Sequence, residues 1–189
     1  MAKVKTQDIR NLVLCGHGSA GKTTLIDNML LQTGVVGTQP SVDEGTSICD
    51  ADPEEKHHQY SIEATSVHFN TSGKHFNVID TPGYPDFIGQ TIGAMSGVDT
   101  AAIVINAQAG IEVNTRRVFH EAGKLGLGRM IVINKMDGEN IDFPALINSI
   151  QKMWGSACTL LNVPVGQGSD FNGVLSVLNV PEDTSGALL

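Results

Sequence analysis

Short apolar runs alternate with helix-like segments along the first 155 residues. Residues 9–15 form a compact apolar run typical of a buried strand, and the apolar positions 25, 26, 29 and 30 fall on one face of a helix over 22–32. The same patterns predict strands at 61–70, 76–79, 100–106 and 129–134, and helices near 86–96, 111–125 and 144–154. This alternation is typical of an α/β fold with a mostly parallel central sheet flanked by helices.

Two details refine the predicted sheet. The β-branched runs 100–106 and 129–134 are typical of central strands buried on both faces. Residues 71–74, with the sequence Thr-Ser-Gly-Lys, predict a hairpin turn between strands 61–70 and 76–79. Residues 33–60 are polar and rich in glycine and acid without a sustained period, so we expect a long loop, and loops of that length are usually functional.

The pattern changes near residue 155. Residues 157–165 and 171–178 predict two strands joined by a glycine-rich turn at 166–170, whereas 181–189 predict no element. We therefore expect an α/β core over residues 1–155 and the beginning of a β-rich subdomain over 156–189.

Composition excludes several classes of protein. The 189 residues include 12 Lys and Arg against 20 Asp and Glu, a net charge of −8, which argues against coating nucleic acid by bulk charge. No apolar run approaches the ~20 residues that span a bilayer, and the first residues lack a signal-peptide core. Three widely spaced cysteines indicate reduced thiols. We expect a cytoplasmic monomer without a membrane partner.

Residues 16–23 match the phosphate loop G-x-x-x-x-G-K-[ST] at every fixed position. Such a loop curls backbone N–H groups around a phosphate, the lysine reaches the β and γ phosphates, and the hydroxyl binds Mg²⁺. A chance glycine-rich connector is disfavoured because the motif follows a predicted strand and opens a predicted helix. The candidate phosphate-binding residues are Gly16, His17, Gly18, Ser19, Ala20, Gly21, Lys22, Thr23 and Thr24.

A second motif, D-x-x-G, follows the strand at 76–79. Asp80 can hold the Mg²⁺ shell, and the backbone N–H of Gly83 can bind a γ-phosphate. The candidate nucleotide contacts here are Asp80, Thr81, Pro82, Gly83 and Tyr84. Alone the motif is weak, but its place downstream of a phosphate loop makes it specific.

The third motif is Asn134-Lys135-Met136-Asp137, an N-K-x-D sequence at the end of a predicted strand. The carboxylate of Asp137 would accept hydrogen bonds from the ring N–H and amine of guanine, which adenine does not offer in that arrangement. In isolation the motif is usually a turn; as the third element in this order it predicts a GTPase. An ATP-using phosphate-loop enzyme is disfavoured for the same reason.

The surrounding residues resemble translational GTPases of the elongation factor G kind. Residues 80–87, D-T-P-G-Y-P-D-F, are close to that family's D-T-P-G-H-x-D-F, and 43–55 are similar to its first switch region. The resemblance implies GTP and GDP as ligands, Mg²⁺ as cofactor, GTP hydrolysis, and a ribosome (rRNA) partner for the full-length parent. The segment after Trp154 resembles the start of an insertion within the family's GTPase domain.

Three positions depart from the family pattern. Tyr84 replaces the histidine that positions the attacking water, and a phenol does not titrate like imidazole near neutral pH. Ser19 replaces an aspartate associated with a monovalent cation, and both changes resemble elongation-factor-G-like paralogues. Ser61 stands where the family's switch threonine closes over Mg²⁺ and the γ-phosphate. The resemblance thus implies Tyr84, Lys22 and Gly83 in catalysis and Thr23, Ser61 and Asp80 as Mg²⁺ ligands.

The family's last guanine-contacting motif, S-A before a final helix, is expected only after the insertion. Ser156-Ala157 lies too close to Asn134 for that role and is interpreted as a linker. The chain thus resembles an N-terminal piece that stops inside the insertion, without a final strand and helix.

Two hypotheses of function remain open. The first is a GTPase that is slow without an activator, since no arginine lies in a predicted switch to serve as a finger. The second is a GTP-gated binding module with little hydrolysis, motivated by Tyr84 and Ser19. The acidic run Asp50, Asp52, Glu54 and Glu55 is expected to be solvated, and the side chains of His57 and His58, being adjacent, are expected to diverge rather than pair on a metal.

Overall fold

The computed structural model describes residues 4–179. The chain divides into two compact units, Met1–Ile105 with Glu112–Asn134, and Asn106–Ile111 with Lys135–Leu189. Residues 181–189, for which no element is predicted, lie outside the described residues. Within 4–179, no helix combines the length and the apolar character needed to cross a membrane.

The first unit is built on a five-stranded sheet. Its strands are β1 (Ile9–Gly16), β2 (Thr65–Thr71), β3 (Lys74–Asp80), β4 (Thr100–Asn106) and β5 (Gly128–Asn134). Their order across the sheet is β2-β3-β1-β4-β5. Strand β1 pairs in parallel with β3 and β4, whereas β2 pairs antiparallel with β3. The sheet is therefore mostly parallel and flanked by helices, which confirms the predicted α/β class.

The described part of this unit contains four α-helices. They are α1 (Lys22–Gln32), α2 (Pro53–His58), α3 (Ile88–Met95) and α4 (Val113–Lys124). Helix α1 contacts β1 and β3, while α3 and α4 contact each other and also β1. A short 3₁₀ turn, Pro85–Phe87, precedes α3, so the helix predicted from residue 86 begins slightly later.

The core forms where α1 packs on the centre of the sheet. Leu14 of β1 and Val104 of β4 are buried in one cluster with Ile26 and Leu30 of α1. Strand β4 is buried throughout residues 101–105, as expected for a central strand covered on both faces. Burial of this apolar surface fixes the start of α1 against the carboxyl ends of β1 and β3.

The predicted hairpin between β2 and β3 is confirmed. Ser72 and Gly73 both have positive φ, 50° and 72°, the conformation that two-residue hairpin loops require. Strand β2 starts at Thr65 rather than at residue 61. The reason is that the backbone N–H groups of Ile62 and Glu63 donate to the Glu55 carboxylate instead of to a neighbouring strand.

The prediction of one long loop over 33–60 is wrong for its last third, where α2 lies. Its start is fixed by a capping box, since Asp52 accepts from the N–H of Glu54 at 2.8 Å and Glu55 accepts from the N–H of Asp52 at 3.1 Å. Pro53 occupies the first turn, where its fixed φ favours a helix. The D-P-E-E sequence carried this signal.

The prediction that residues 129–134 form a central strand buried on both faces is also wrong. Among the strands described, β5 lies at the edge of the sheet, and none of its residues is buried. The Met130 side chain is 40% exposed. A β-branched run identifies the strand but does not fix its place in the sheet.

The second unit contains helix α5 (Phe143–Trp154) and a small two-stranded sheet. The Asp142 carboxylate caps α5 by accepting from the N–H of Ala145 at 2.9 Å. Strands β6 (Asn162–Pro164) and β7 (Val174–Ser176) pair antiparallel. The predicted hairpin after residue 155 is thereby confirmed, with strands shorter than the pattern suggested.

We predict that Leu14→Ala lowers the free energy of unfolding by about 2–5 kcal/mol, because it leaves a cavity between α1 and the sheet. Urea unfolding monitored by circular dichroism measures the change. Leu125→Ala is the matched control, since that leucine is 44% exposed and its loss should cost far less. Equal losses in the two variants would contradict this description of the core.

Candidate functional site

The predicted phosphate loop connects the carboxyl end of β1 to the first turn of α1. Gly16 has a φ of +148°, and a Cβ atom there would collide with the carbonyl oxygen of Val104. Gly21 adopts the left-handed region at a φ of 89° immediately before Lys22 opens the helix. These two positions require glycine, and the bend they allow leads the chain into a helix N-terminus, the backbone arrangement that binds phosphate.

Lys22 lies buried within this loop, with only 6% of its surface exposed. Its ammonium donates to the backbone oxygen of His17 at 2.9 Å, which places the cation against the loop. Burial lowers the pKa of Lys22, an effect that the nearby Asp80 carboxylate opposes. A buried cation held by one carbonyl is well placed for an anionic ligand to balance its charge.

The segment after β3 returns to the phosphate loop. Thr81 donates its hydroxyl to the backbone oxygen of Leu14 at 2.7 Å, and Asn114 donates to the backbone oxygen of Gly83 at 2.6 Å. A Cβ atom at Gly83 would lie 2.5 Å from the Lys22 ammonium and 2.6 Å from the backbone nitrogen of Gly18. Only glycine therefore allows this approach between the two loops.

Four oxygen-bearing side chains meet at the first turn of α1. Thr23 donates to Asp80 at 2.6 Å, Ser61 donates to Asp50 at 2.7 Å, and the two hydroxyl oxygens lie 3.2 Å apart. The predicted trio of Thr23, Ser61 and Asp80 is thus brought together, although Ser61 comes from a different part of the chain. Asp50 is the fourth member of the cluster and belongs to none of the sequence motifs.

This cluster fits Mg²⁺ by the chemistry of its donors. Each hydroxyl proton is directed to a carboxylate, so the lone pairs of Thr23 and Ser61 face each other. Adjacent ligands of an octahedral Mg²⁺ lie roughly 3 Å apart, because each is about 2.1 Å from the ion. One cation between the two hydroxyl oxygens would satisfy both.

Burial also changes the acidity of the Asp80 carboxyl group. It is 1% exposed, and this burial raises its pKa to about 7, against the hydrogen bond from Thr23 and the charge of Lys22, which lower it. A carboxylate held in such surroundings is stabilised by a nearby cation.

The expectation that the acidic run is solvated is wrong for two of its members. Asp50 and Glu55 are each only 2% exposed. Glu55 accepts hydrogen bonds from the backbone of Asp52, Ile62 and Glu63, which holds the segment before Ser61 in place. The capping-box spacing in the sequence could have identified Glu55; nothing comparable marks Asp50.

Tyr84 lies against the phosphate loop at Gly18. A Cβ atom on Gly18 would lie 3.3 Å from the phenol ring of Tyr84, and Tyr60 packs edge-on against that ring at 4.9 Å between centroids. Tyr84 remains 40% exposed. The ring therefore contacts the loop while part of it stays accessible to solvent.

The remaining predicted residues occupy the expected elements. Asn134 ends β5 and donates its amide to the backbone oxygen of Ala20 at 3.0 Å, which ties that strand to the phosphate loop. Lys135 follows with a φ of 59°, Met136 is buried, and Asp137 is exposed. Ser19 has a φ of 58°, Pro82 accepts from the hydroxyl of Thr91, and Thr24 lies exposed in the first turn of α1.

The expectation that His57 and His58 diverge is wrong. Their ring centroids lie 4.8 Å apart with an edge-to-face geometry, and both rings lie close to the Glu54 carboxylate. Three potential ligand atoms thus converge on the exposed face of α2.

Comparison with known proteins places this geometry in a family. Residues 7–181 match the model of the elongation factor Tu GTP binding domain. The chain belongs to this GTP-binding domain family. The phosphate loop, the Asp80 segment and Asn134 all lie within the matched residues.

Relatives of the GTP-binding domain are considerably longer than this chain. Ribosome-releasing factor 2, mitochondrial, of Yarrowia lipolytica is 33% identical over 94% of this chain and 23% of its own length. Elongation factor G 2 of Streptomyces coelicolor is 32% identical over 89% of this chain and 25% of its own length. An elongation factor G-like protein of Mycobacterium tuberculosis is 34% identical over 85% of this chain and 22% of its own length. The chain spans about a quarter of each.

A solved structure shows the same fold. A crystal structure of a protein from Thermus thermophilus superposes with a TM-score of 0.86 at 31% identity, covering 95% of this chain and 29% of that one. The GTP-binding domain fold therefore extends over nearly the whole sequence.

The buried carboxyl group of Asp27 in α1 should make the stability of the fold depend on pH. Its carboxylate is fully buried, and Oδ1 accepts from the N–H of Ile48 at 3.2 Å. Burial raises the pKa of Asp27 above its ordinary value of 3.8, against hydrogen bonds from Ser47 and Ile48. The folded state then binds the proton more tightly than the unfolded state, so stability falls as pH rises from 3.8 through the raised pKa.

We predict that Asp27→Asn flattens this decline, because the amide keeps the Oδ1 acceptor and does not ionise. Urea unfolding at a series of pH values measures the slope. Asp43→Asn is the control, since that carboxylate is exposed and the same change should leave the slope as it is in the wild type. If Asp27→Asn and Asp43→Asn give the same dependence of stability on pH, Asp27 is not the cause of the decline.

Proposed function

We propose that this chain is the GTP-binding domain of an elongation factor G-like translation factor, which binds GTP and GDP with Mg²⁺ and hydrolyses GTP. The observation that carries the proposal is the pair of hydroxyl oxygens of Thr23 and Ser61, 3.2 Å apart with both protons directed to carboxylates, beside the buried ammonium of Lys22. An oxygen-lined cation site and a buried lysine at a helix N-terminus suit a nucleotide triphosphate.

Each part of the nucleotide has a proposed partner. Lys22 neutralises the β and γ phosphates, the loop Gly16–Thr23 wraps them with backbone N–H groups, and the N–H of Gly83 contacts the γ-phosphate. Asn134, Lys135 and Asp137 select guanine. Thr23, Ser61 and Asp80 would hold Mg²⁺, which when bound neutralises charge on the phosphates.

Nucleotide hydrolysis is proposed to release Ser61 and Gly83 from their ligands. Ser61 belongs to the segment that Glu55 and Asp50 hold, and Gly83 belongs to the loop that Asn114 holds. Loss of the γ-phosphate removes the attraction that draws these two segments together, an order–disorder change typical of GTPases.

Tyr84 is the proposed orienter of the attacking water. Its ring lies over the phosphate loop, and a phenol hydroxyl can hydrogen-bond a water but does not supply the charge of an imidazolium. This favours slow turnover without an activator, and it also supports the second candidate, a GTP-gated binding module with little hydrolysis.

The relatives suggest where the domain acts. Several carry names of elongation factors or ribosome-releasing factors, so we propose the ribosome as the partner of the full-length parent. We propose further that residues 1–155 form the GTPase core and that residues 156–189 begin the inserted subdomain.

The first test is titration of the chain with fluorescent GDP in Mg²⁺, competed by GTP and separately by ATP. We expect displacement by guanine nucleotides only. Asp137→Asn should shift selectivity from GTP toward xanthosine triphosphate, because the amide reverses the donor and acceptor sense at the base.

Glu139→Gln provides the control for loss of a nearby exposed carboxylate and should bind GTP like the wild type. Displacement by ATP as effective as that by GTP would refute the guanine assignment. Unchanged selectivity in Asp137→Asn would refute the role of that residue.

A second prediction concerns catalysis. Tyr84→His should raise ribosome-stimulated GTP turnover by roughly tenfold or more, because an imidazole positions water and exchanges protons near neutral pH. Single-turnover hydrolysis of radiolabelled GTP measures the rate, and fluorescent-GDP binding should change little.

Tyr84→Phe separates the hydroxyl from the ring, and its rate should be lower than that of the wild type. No increase in Tyr84→His, with GTP still bound, would show that Tyr84 does not limit hydrolysis. Turnover close to background in the wild type, and restored in Tyr84→His, would favour the binding module.

A further inference from the structure

We propose that Glu54, His57 and His58 form a binding site for Zn²⁺ or a similar transition-metal ion on the exposed face of α2. The ligand atoms of the three side chains all lie within 4.8 Å of one another. The site is separate from the proposed nucleotide-binding residues, and its existence does not depend on the proposed function.

The helix dictates the convergence. His57 and His58 follow Glu54 by three and four residues, the two spacings that bring side chains onto the same face of a helix. The His58 Nε2 and Glu54 Oε2 atoms are 3.5 Å apart. Ligands of a tetrahedral Zn²⁺, each about 2.0–2.1 Å from the ion, lie roughly 3.4 Å from each other, so this pair already has the required spacing.

The second imidazole distinguishes a metal site from an ordinary ion pair. A salt bridge between Glu54 and His58 needs no further group, yet the His57 ring lies 4.8 Å from the His58 ring, edge to face. All three side chains are exposed, so the third ligand can rotate closer without entering the protein core. Water can complete the coordination.

A packing contact holds one of the three ligands in place. His58 stacks on Tyr60 at 5.5 Å with an interplanar angle of 27°, which restricts its ring orientation before any metal binds. The Cβ atom of Lys56, the lysine of α2, lies 3.7 Å from the position that a Cβ atom on Gly45 would occupy. Two imidazole nitrogens are ligands that Zn²⁺ prefers and Mg²⁺ does not, and a carboxylate is a common third ligand of Zn²⁺.

Binding would also stabilise the segment that carries Ser61. A metal held by Glu54 and His58 links the first and last turns of a six-residue helix, and a ligand that binds only the folded arrangement stabilises it. Tyr60, which His58 stacks on, contacts Tyr84 at 4.9 Å. This consequence, unlike the site itself, rests on the proposed function of Tyr84 and Ser61.

The test is titration of the nucleotide-free chain with Zn²⁺ in competition with a chromophoric chelator. We expect one equivalent to bind, with affinity unaffected by millimolar Mg²⁺, and His58→Ala and His57→Ala to weaken it by roughly tenfold or more. His68→Ala is the matched control, because His68 is also exposed and lies 5.7 Å from a second ring, that of His75.

Co²⁺ provides an independent readout, since its visible absorption reports imidazole and carboxylate ligands directly. Absence of stoichiometric Zn²⁺ binding, or equal weakening in His68→Ala and His58→Ala, would overturn the proposal. Guanine-nucleotide binding is measured separately on the same samples, so failure of the metal site and failure of the proposed function give different results.

Discussion

The hydrogen bond from Thr23 to Asp80 is the contact on which the site depends. It joins the first turn of α1 to the carboxyl end of β3, at 2.6 Å, and Asp80 is almost fully buried. Parallel pairing of β1 with β3 places Leu14 opposite Asp80, so the sheet itself sets the height at which the two groups meet. Ser61 attaches to this pair through its 3.2 Å contact with Thr23, and it brings Asp50 with it.

Several ionisable groups in this region are buried, which disfavours their charged forms, and a bound ligand would stabilise those charged forms. Burial raises the pKa of Asp27, Asp50 and Asp80 and lowers that of Lys22, so both the carboxylates and the ammonium lose stability when charged. Phosphate beside the lysine and a divalent cation beside the carboxylates would each stabilise the ionised form of its neighbour. The arrangement of charged groups is thus complementary to a metal–nucleotide pair, which is the physical basis for the proposed function.

Much of this arrangement could be predicted from the sequence, because it depends on residues that lie close together along the chain. The phosphate loop, the hairpin at Ser72–Gly73 and the strand that ends at Asp80 each follow from spacing within a few residues. Other features depend on residues that are distant in the sequence, and no local spacing predicts them. They are the burial of Asp50, the edge position of β5 and the hydrogen bond from Asn114 to Gly83. The capping box at α2 was a local signal, but the acidic residues that form it also suit a solvated loop.

The aromatic contacts connect Tyr84, Tyr60 and His58. The residue that packs on Tyr84, Tyr60, stands immediately before Ser61. An edge-to-face pair of aromatic rings is worth about 0.5–1.5 kcal/mol beyond the burial of its surface. The orientation of Tyr84 over Gly18 is therefore coupled to the segment that carries Ser61 and, through the stacking of His58 on Tyr60, to the exposed face of α2. A change at any of these three aromatic side chains should alter the others, because each ring is a packing surface for the next.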